Sequence, residues 1–134
     1  MSLVLTEMIS DRSYRLCAMR TAKENPVLAF LSEQEQERQK EWDKLMKLLD
    51  YVAHHGTPKN EEKCKFIKKE RVFELKTGGG LRLFAFFGKD RSLIVCSHGF
   101  VKKSQKTPKE QLKRAEKARE AYEKAYQHGD IRYE

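Results

Sequence analysis

Residues 71–98 read RVFELKTGGGLRLFAFFGKDRSLIVCSH, and the fold depends on how this stretch pairs with itself. Three runs rich in β-branched and aromatic residues, Arg71–Lys76, Leu81–Phe87 and Ser92–His98, are separated by TGGG and GKDR. Such residues between glycine-rich punctuation predict an antiparallel meander. A three-residue loop, Gly78–Gly80, sets Leu75 against Leu83 and Phe73 against Ala85, so the apolar side chains share one face. Glu74, Lys76 and Arg82 then share the opposite face. A two-residue loop would mix polar and apolar residues on both faces, so the longer loop is preferred. Pairing Phe84 with Cys96 across the next turn would place Arg82 directly opposite His98.

The flanking sequence supplies helices. Tyr14–Arg20 (YRLCAMR) alternates in the manner of a strand. Asn25-Pro26 supplies a cap and a proline at the first helical position, predicting a short helix over Val27–Leu31. Ser32-Glu33-Gln34-Glu35 reads as a capping box opening a second, long helix. Its stripe of Trp42, Leu45, Met46, Leu49, Val52 and Ala53 recurs at helical spacing, and it stops at His55-Gly56 with Pro58 beyond. Residues 57–70 read as a polar loop anchored by Cys64, Phe66 and Ile67. Thr107-Pro108-Lys109-Glu110 combines a capping box with a proline at the first helical position, opening a helix that runs to about Gln127 and ends at Gly129. The stripe of that last helix, Leu112, Ala115, Ala118, Tyr122 and Ala125, is narrow and alanine-rich, which predicts a helix laid lightly on the domain.

The fold class that follows is α+β. N-terminal helices pack on a small, mainly antiparallel sheet, in the order strand, two helices, three-strand meander, C-terminal helix. Residues 1–13 form an N-terminal extension, 14–128 a single domain and 129–134 a C-terminal tail. A chain of 134 residues has room for one such core. Trp42, seven Phe and five Tyr are too many bulky residues for a disordered chain, even with 36% charged residues.

Lys and Arg number 28 against 20 Asp and Glu, a net charge of +8, which points to polyanionic partners: nucleic acid, an acidic protein or an anionic membrane. The membrane is disfavoured, because apolar runs such as Val27–Leu31 reach only five residues. The N-terminal MSLVLTEMIS has no basic start and carries Glu7, so it does not read as a signal peptide. Cys17, Cys64 and Cys96 are odd in number and widely spaced, which argues against a disulfide framework or a zinc site and fits a cytoplasmic location. His54 and His55 are adjacent, about 100° apart on a helix, and so are no chelating pair. No metal or other cofactor is expected.

No nucleophile motif, Walker loop or HExxH occurs in the chain. Instead cations converge: Arg82 in the middle strand of the meander, His98 at the end of the next, then Gly99-Phe100 leading to Lys102, Lys103 and Lys106. Arginine and lysines around an imidazole suit RNA cleavage, which needs a 2′-OH deprotonated, a pentacovalent phosphate stabilised and a 5′-oxygen protonated. Two plainer readings stand beside this one. His98 is then a strand-end polar residue, and Arg82 is a salt-bridge partner of Glu74.

The helix-ending HHG, the strand FELK, the run GLRLFAFF and above all SHGFVKKSQKTPKE together resemble the phage-derived, toxin-like branch of the RelE/HigB superfamily, over roughly Tyr14–Ala121. The resemblance implies a toxin of a type II toxin–antitoxin pair: a basic endoribonuclease that cleaves mRNA, commonly on the ribosome, and is silenced by a helix-turn-helix antitoxin. It also implies N-terminal helices on an antiparallel sheet whose other face is the basic active surface. By the same resemblance Arg82, His98, Lys102 and Lys103 are the catalytic candidates, with Lys76, Arg71, Phe100 and Lys106 as RNA contacts. The sequence departs from the pattern at Leu81, where the family often has an aromatic residue, and at Lys76, where it often has arginine. Lysine supplies a point charge without bidentate phosphate geometry. Two alternatives of other classes remain: a non-catalytic nucleic-acid-binding protein, and a module that binds an acidic protein.

Overall fold

In the computed structural model, which describes residues 2–90, 92–104 and 106–134, the elements run β1 (Leu3–Ser10), β2 (Arg15–Arg20), α1 (Pro26–Glu37), α2 (Gln39–His55), β3 (Cys64–Ile67), β4 (Val72–Lys76), β5 (Leu81–Phe87), β6 (Leu93–Val101), α3 (Lys109–Gln127) and β7 (Ile131–Tyr133). The strands form one seven-stranded sheet in the order β3-β4-β5-β6-β2-β1-β7. Most neighbours are antiparallel; β2 with β6 and β1 with β7 are parallel. The α+β class holds, with a sheet larger than the sequence predicts.

The first hairpin has the expected register: Leu75 pairs with Leu83 and Phe73 with Ala85, and Gly78–Gly80 form the loop. Gly80 takes φ +101°, and a Cβ there would press on the Lys102 carbonyl, so this turn position requires glycine. The second pairing differs from expectation. Phe84 pairs with His98, not Cys96, and Arg82 with Phe100: the pairing is already one residue off at Ala85–Cys96, and the extra residue Ser97 between Cys96 and His98 adds a second. A bulge of this kind reverses which face later residues occupy. Ile94 and Cys96 therefore face α1 and α2, as Leu16, Ala18, Phe73, Leu75, Leu83 and Ala85 do. Leu93 and Val95 face α3, and beyond the bulge Phe100 joins them with Phe84 and Phe86.

Helices thus cover both faces, where the resemblance implied an open second face. On α3, Ala115 and Tyr122 are buried and Leu112 and Ala118 partly so, which is the predicted stripe. Arg119 is buried as well: its Nε donates to the Glu70 carbonyl at 2.8 Å and it pairs with Glu123. Tyr122 Oη accepts from the Lys89 amide at 2.8 Å, fixing the helix to the β5–β6 turn.

Three boundaries differ from the sequence reading. The helix begun at Pro26 runs through Ser32 to Glu37, and the break falls at Arg38, whose φ −141° and ψ 61° are not helical. Gln34 is buried in that continuous helix and accepts from Arg38, so the supposed capping box lies mid-helix. Residues 64–67, read as loop, form the edge strand β3 against β4. Residues 3–10 and 131–133 are strands of the same sheet, with β7 hydrogen-bonded beside β1.

Gly99 faces α1, and a Cβ added there would overlap the Phe30 ring. Gly99→Ala is expected to lower stability by about 1–3 kcal/mol, the usual range for overpacking a filled core. Urea denaturation measures it, and Phe30→Leu in the same chain should recover part of the loss.

Candidate functional site

At the end of the sheet where β4 finishes and β5 begins, the chain gathers cations around one buried carboxylate. Glu74 is 1% exposed. On its face of the sheet its cross-strand neighbours are Lys65 of β3 and Phe84 of β5, with Lys76 paired to Arg82 one step further on. Arg82 Nε lies 3.2 Å from Glu74 Oε1, close enough for charge pairing but not aligned as a hydrogen bond. The Arg82 Nη1 donates to the carbonyls of Thr77 and Leu81 at 2.8 and 2.9 Å, so the guanidinium is held flat over the hairpin. Thr107 Oγ1 donates to Glu74 Oε2 at 3.0 Å. That hydroxyl therefore ties the loop before α3 to the sheet and caps nothing; α3 begins at Lys109 without a side-chain cap.

Lys102 completes the group. Its amide donates to the Gly80 carbonyl at 2.7 Å, which brings the end of β6 onto the β4–β5 hairpin. Partial desolvation holds its ammonium below the ordinary lysine value. Glu74 opposes that shift, while Arg82, Lys76 and Lys65 add to it. An ammonium among other cations is easier to deprotonate, which is the condition for a lysine to move protons nearer neutrality. Lys76 Nζ donates to the Glu61 carbonyl at 3.1 Å.

The other candidates are placed differently. His98 is 1% exposed beneath α3, its Nδ1 2.9 Å from Ser97 Oγ and its Nε2 2.8 Å from Gln111 Oε1. Burial pushes its pKa down to about 4, the charge of Arg114 works the same way, and the Gln111 contact opposes both. Phe100 is nearly buried and stacks on Phe84 with centroids 5.6 Å apart, so its ring belongs to the core. Arg71 stands at the far end of β4, about 16 Å from Lys76 at ordinary strand rise, with its guanidinium 3.9 Å from Glu123. Lys103 and Lys106 are exposed on the loop between β6 and α3. The structure therefore brings together Lys76, Arg82 and Lys102; Phe100 lies directly across from Arg82 as a core ring, His98 one pair further along on the same face and buried under α3, and Arg71 stands apart at the other end of β4.

Sequence reading missed Lys65 and Thr107 as members of this group. Lys65 becomes visible only once 64–67 is a strand, and the Cys64/Ile67 signal for that is submerged in lysines. Thr107 looks like a helix cap in sequence, and a buried carboxylate makes the competing claim. Among the described residues, no cluster of three or more His, Cys, Asp or Glu is placed to hold a metal ion, and no helix is long and apolar enough to cross a membrane.

Compared with known proteins, residues 29–120 match the family model described as phage derived protein Gp49-like (DUF891). No curated protein matches the chain.

Two outcomes test this geometry. Removing Arg82 leaves Glu74 buried with only the Thr107 hydroxyl, so Arg82→Ala should lose about 3 kcal/mol in urea denaturation and Arg82→Lys clearly less. The second concerns His98, whose folded-state pKa is depressed. The unfolded chain binds its proton first on acidification, so the stability His98 provides is complete above about pH 6.5 and is lost as pH falls towards 4. Between pH 7 and 5 the loss should be about 2 kcal/mol, and His98→Gln should remove that part of the slope.

Proposed function

Because the chain belongs to the phage-derived Gp49-like family, we propose that it is the toxin of a type II toxin–antitoxin pair and cleaves mRNA, on the translating ribosome, through attack of a 2′-OH on the adjacent phosphodiester. The observation that carries this reading is the convergence of Arg82, Lys76 and Lys102 around one buried anion, on a chain of net charge +8. A site that holds a carboxylate between an arginine and lysines has the charge arrangement a phosphate needs.

In this reading Arg82 and Lys76 bind the scissile phosphate and stabilise the charge that builds on it in the transition state. Lys102, with its lowered pKa, takes the proton from the 2′-OH. The 2′-oxygen bonds to phosphorus, the bond to the 5′-oxygen breaks, and that oxygen leaves with a proton, giving a 2′,3′-cyclic phosphate end and a 5′-OH end. His98, with both ring nitrogens engaged under α3, acts as a positioning residue that joins β6 to the helix. Lys103 and Lys106 add positive potential along the approach. The protein partner proposed is a helix-turn-helix antitoxin.

One observation favours a second reading. Glu74 already neutralises Arg82 from inside, which suits a face that grips nucleic acid without cutting it.

Induced expression with primer extension on translated mRNA decides between them. Wild type should arrest growth, create new 5′ ends and be rescued by co-expressed antitoxin. Lys102→Ala, and Arg82→Lys, which keeps a charge opposite Glu74, should each lower cleavage about a hundredfold with melting temperature little changed. Undiminished cleavage by both variants would sink the catalytic assignment, and RNA binding by wild type without new 5′ ends would establish the second reading.

A further inference from the structure

A groove of about 640 Å³ runs on the other side of the β4–β5 hairpin, between α2 and the segment leading into β3. Lys44, Lys47 and Tyr51 line it from α2, three and four residues apart and therefore on one helix face. Lys59 and Lys63 line it from the opposite wall, and Lys76 stands at its end. Glu62 is the one carboxylate in the lining. Lys44 is committed to Glu41 at 2.8 Å, whereas among the described residues Lys47, Lys59 and Lys63 enter no ion pair. Tyr51 is 47% exposed on the α2 wall, its ring tilted against that of His55 with centroids 4.8 Å apart.

Lysines along two walls, with an exposed aromatic ring on one of them, form the arrangement that single-stranded nucleic acid recognises: charges follow the phosphates, and a base stacks on the ring. An acidic protein would use the same lysines but has no need of the ring. Lys76 belongs both to this groove and to the corner beside Arg82. We propose that the groove binds the single-stranded RNA on one side of the phosphate held at Arg82, with Lys47, Lys59 and Lys63 on its backbone and Tyr51 under a base. The proposal builds on the function given above, but its test reads binding alone.

The test uses the full chain and a fluorescein-labelled single-stranded RNA of about ten nucleotides, followed by anisotropy across a salt series. Removing three phosphate contacts with Lys47→Ala, Lys59→Ala and Lys63→Ala together should weaken binding at least about tenfold and reduce the slope of log affinity against log salt by about 2, at about 0.7 per phosphate. Tyr51→Leu should weaken binding by about fivefold or more with the slope unchanged, as loss of stacking requires. A control with Lys113→Ala, Lys117→Ala and Lys124→Ala, exposed on α3, changes net charge equally and should retain most of the affinity. Equal losses from the two triple variants would overturn the proposal. So would polyglutamate binding as tightly as RNA with Tyr51→Leu silent, which would assign the groove to an acidic protein. All these variants keep Arg82 and Lys102. Groove-dependent binding together with no new 5′ ends on translated mRNA would therefore refute the catalytic reading and leave this one standing.

Discussion

Between Cys96 and His98 the β6 strand advances two residues while β5 advances one, and the layers of the molecule are arranged around that step. Before it, Cys96 looks towards α1 and α2; after it, His98 and Phe100 lie on the α3 side and Gly99 receives Phe30. A regular strand would place Cys96, His98 and Phe100 on one face and bring a full side chain against α1 where only glycine fits. The bulge lets one strand serve two cores whose positions along it are out of phase. It also turns His98 onto the face that carries Glu74 and Arg82, one cross-strand pair from Arg82 on that face. His98 is drawn under α3, whereas Lys102, past the end of β6, is delivered to the β4–β5 hairpin.

The buried Glu74 is the second organising element. It lies in the middle of β4, where an apolar residue would pack with less desolvation, and it is neutralised from β5 by Arg82 and from the loop before α3 by Thr107. Buried ion pairs seldom add much stability compared with apolar replacements, yet breaking one is costly. Its role here is better described as fixing register and position. Arg82 cannot swing away from the hairpin, and the chain leaving β6 must pass close to it before α3 begins.

Much of this was readable from residue patterns. Alternation in FELK and LRLFAFF, with three glycines between, sets the hairpin register without ambiguity, because a shift of one residue would turn Leu75 and Leu83 to the wrong face. Gly56 after a long apolar stripe ends α2 where expected, and the alanine-rich stripe of α3 faces inward as its spacing requires. What escaped was decided by tertiary competition. The Ser32 capping signal yields to a continuous helix that buries Gln34 on the same side as Val27, Phe30 and Leu31, and the break moves to Arg38. The bulge at Ser97 has no local signature; it is accommodated by long-range packing, Gly99 lying against the Phe30 ring. β7 is three residues long and carries too little pattern to announce itself. At the site, the cations Lys76, Arg82 and Lys102 were identified from their order in the chain. That His98 lies one pair along from Arg82 on the same face, and not directly across from it, follows from a register that sequence alone does not encode.

The edge strand β3 has a further consequence. Its outer side leaves backbone donors and acceptors unmatched, the usual invitation for another chain to add itself to a sheet. Lys63, Lys65, Lys68 and Lys69 crowd that edge, so two copies approaching along it meet like charge before they meet hydrogen bonds. The lysine fringe therefore keeps the molecules apart. Its protection is electrostatic, so it weakens with ionic strength, over a range of about 8 Å at physiological salt. If the proposed function holds, colloidal behaviour and nucleic-acid affinity share one set of side chains, and changes that alter one will alter the other.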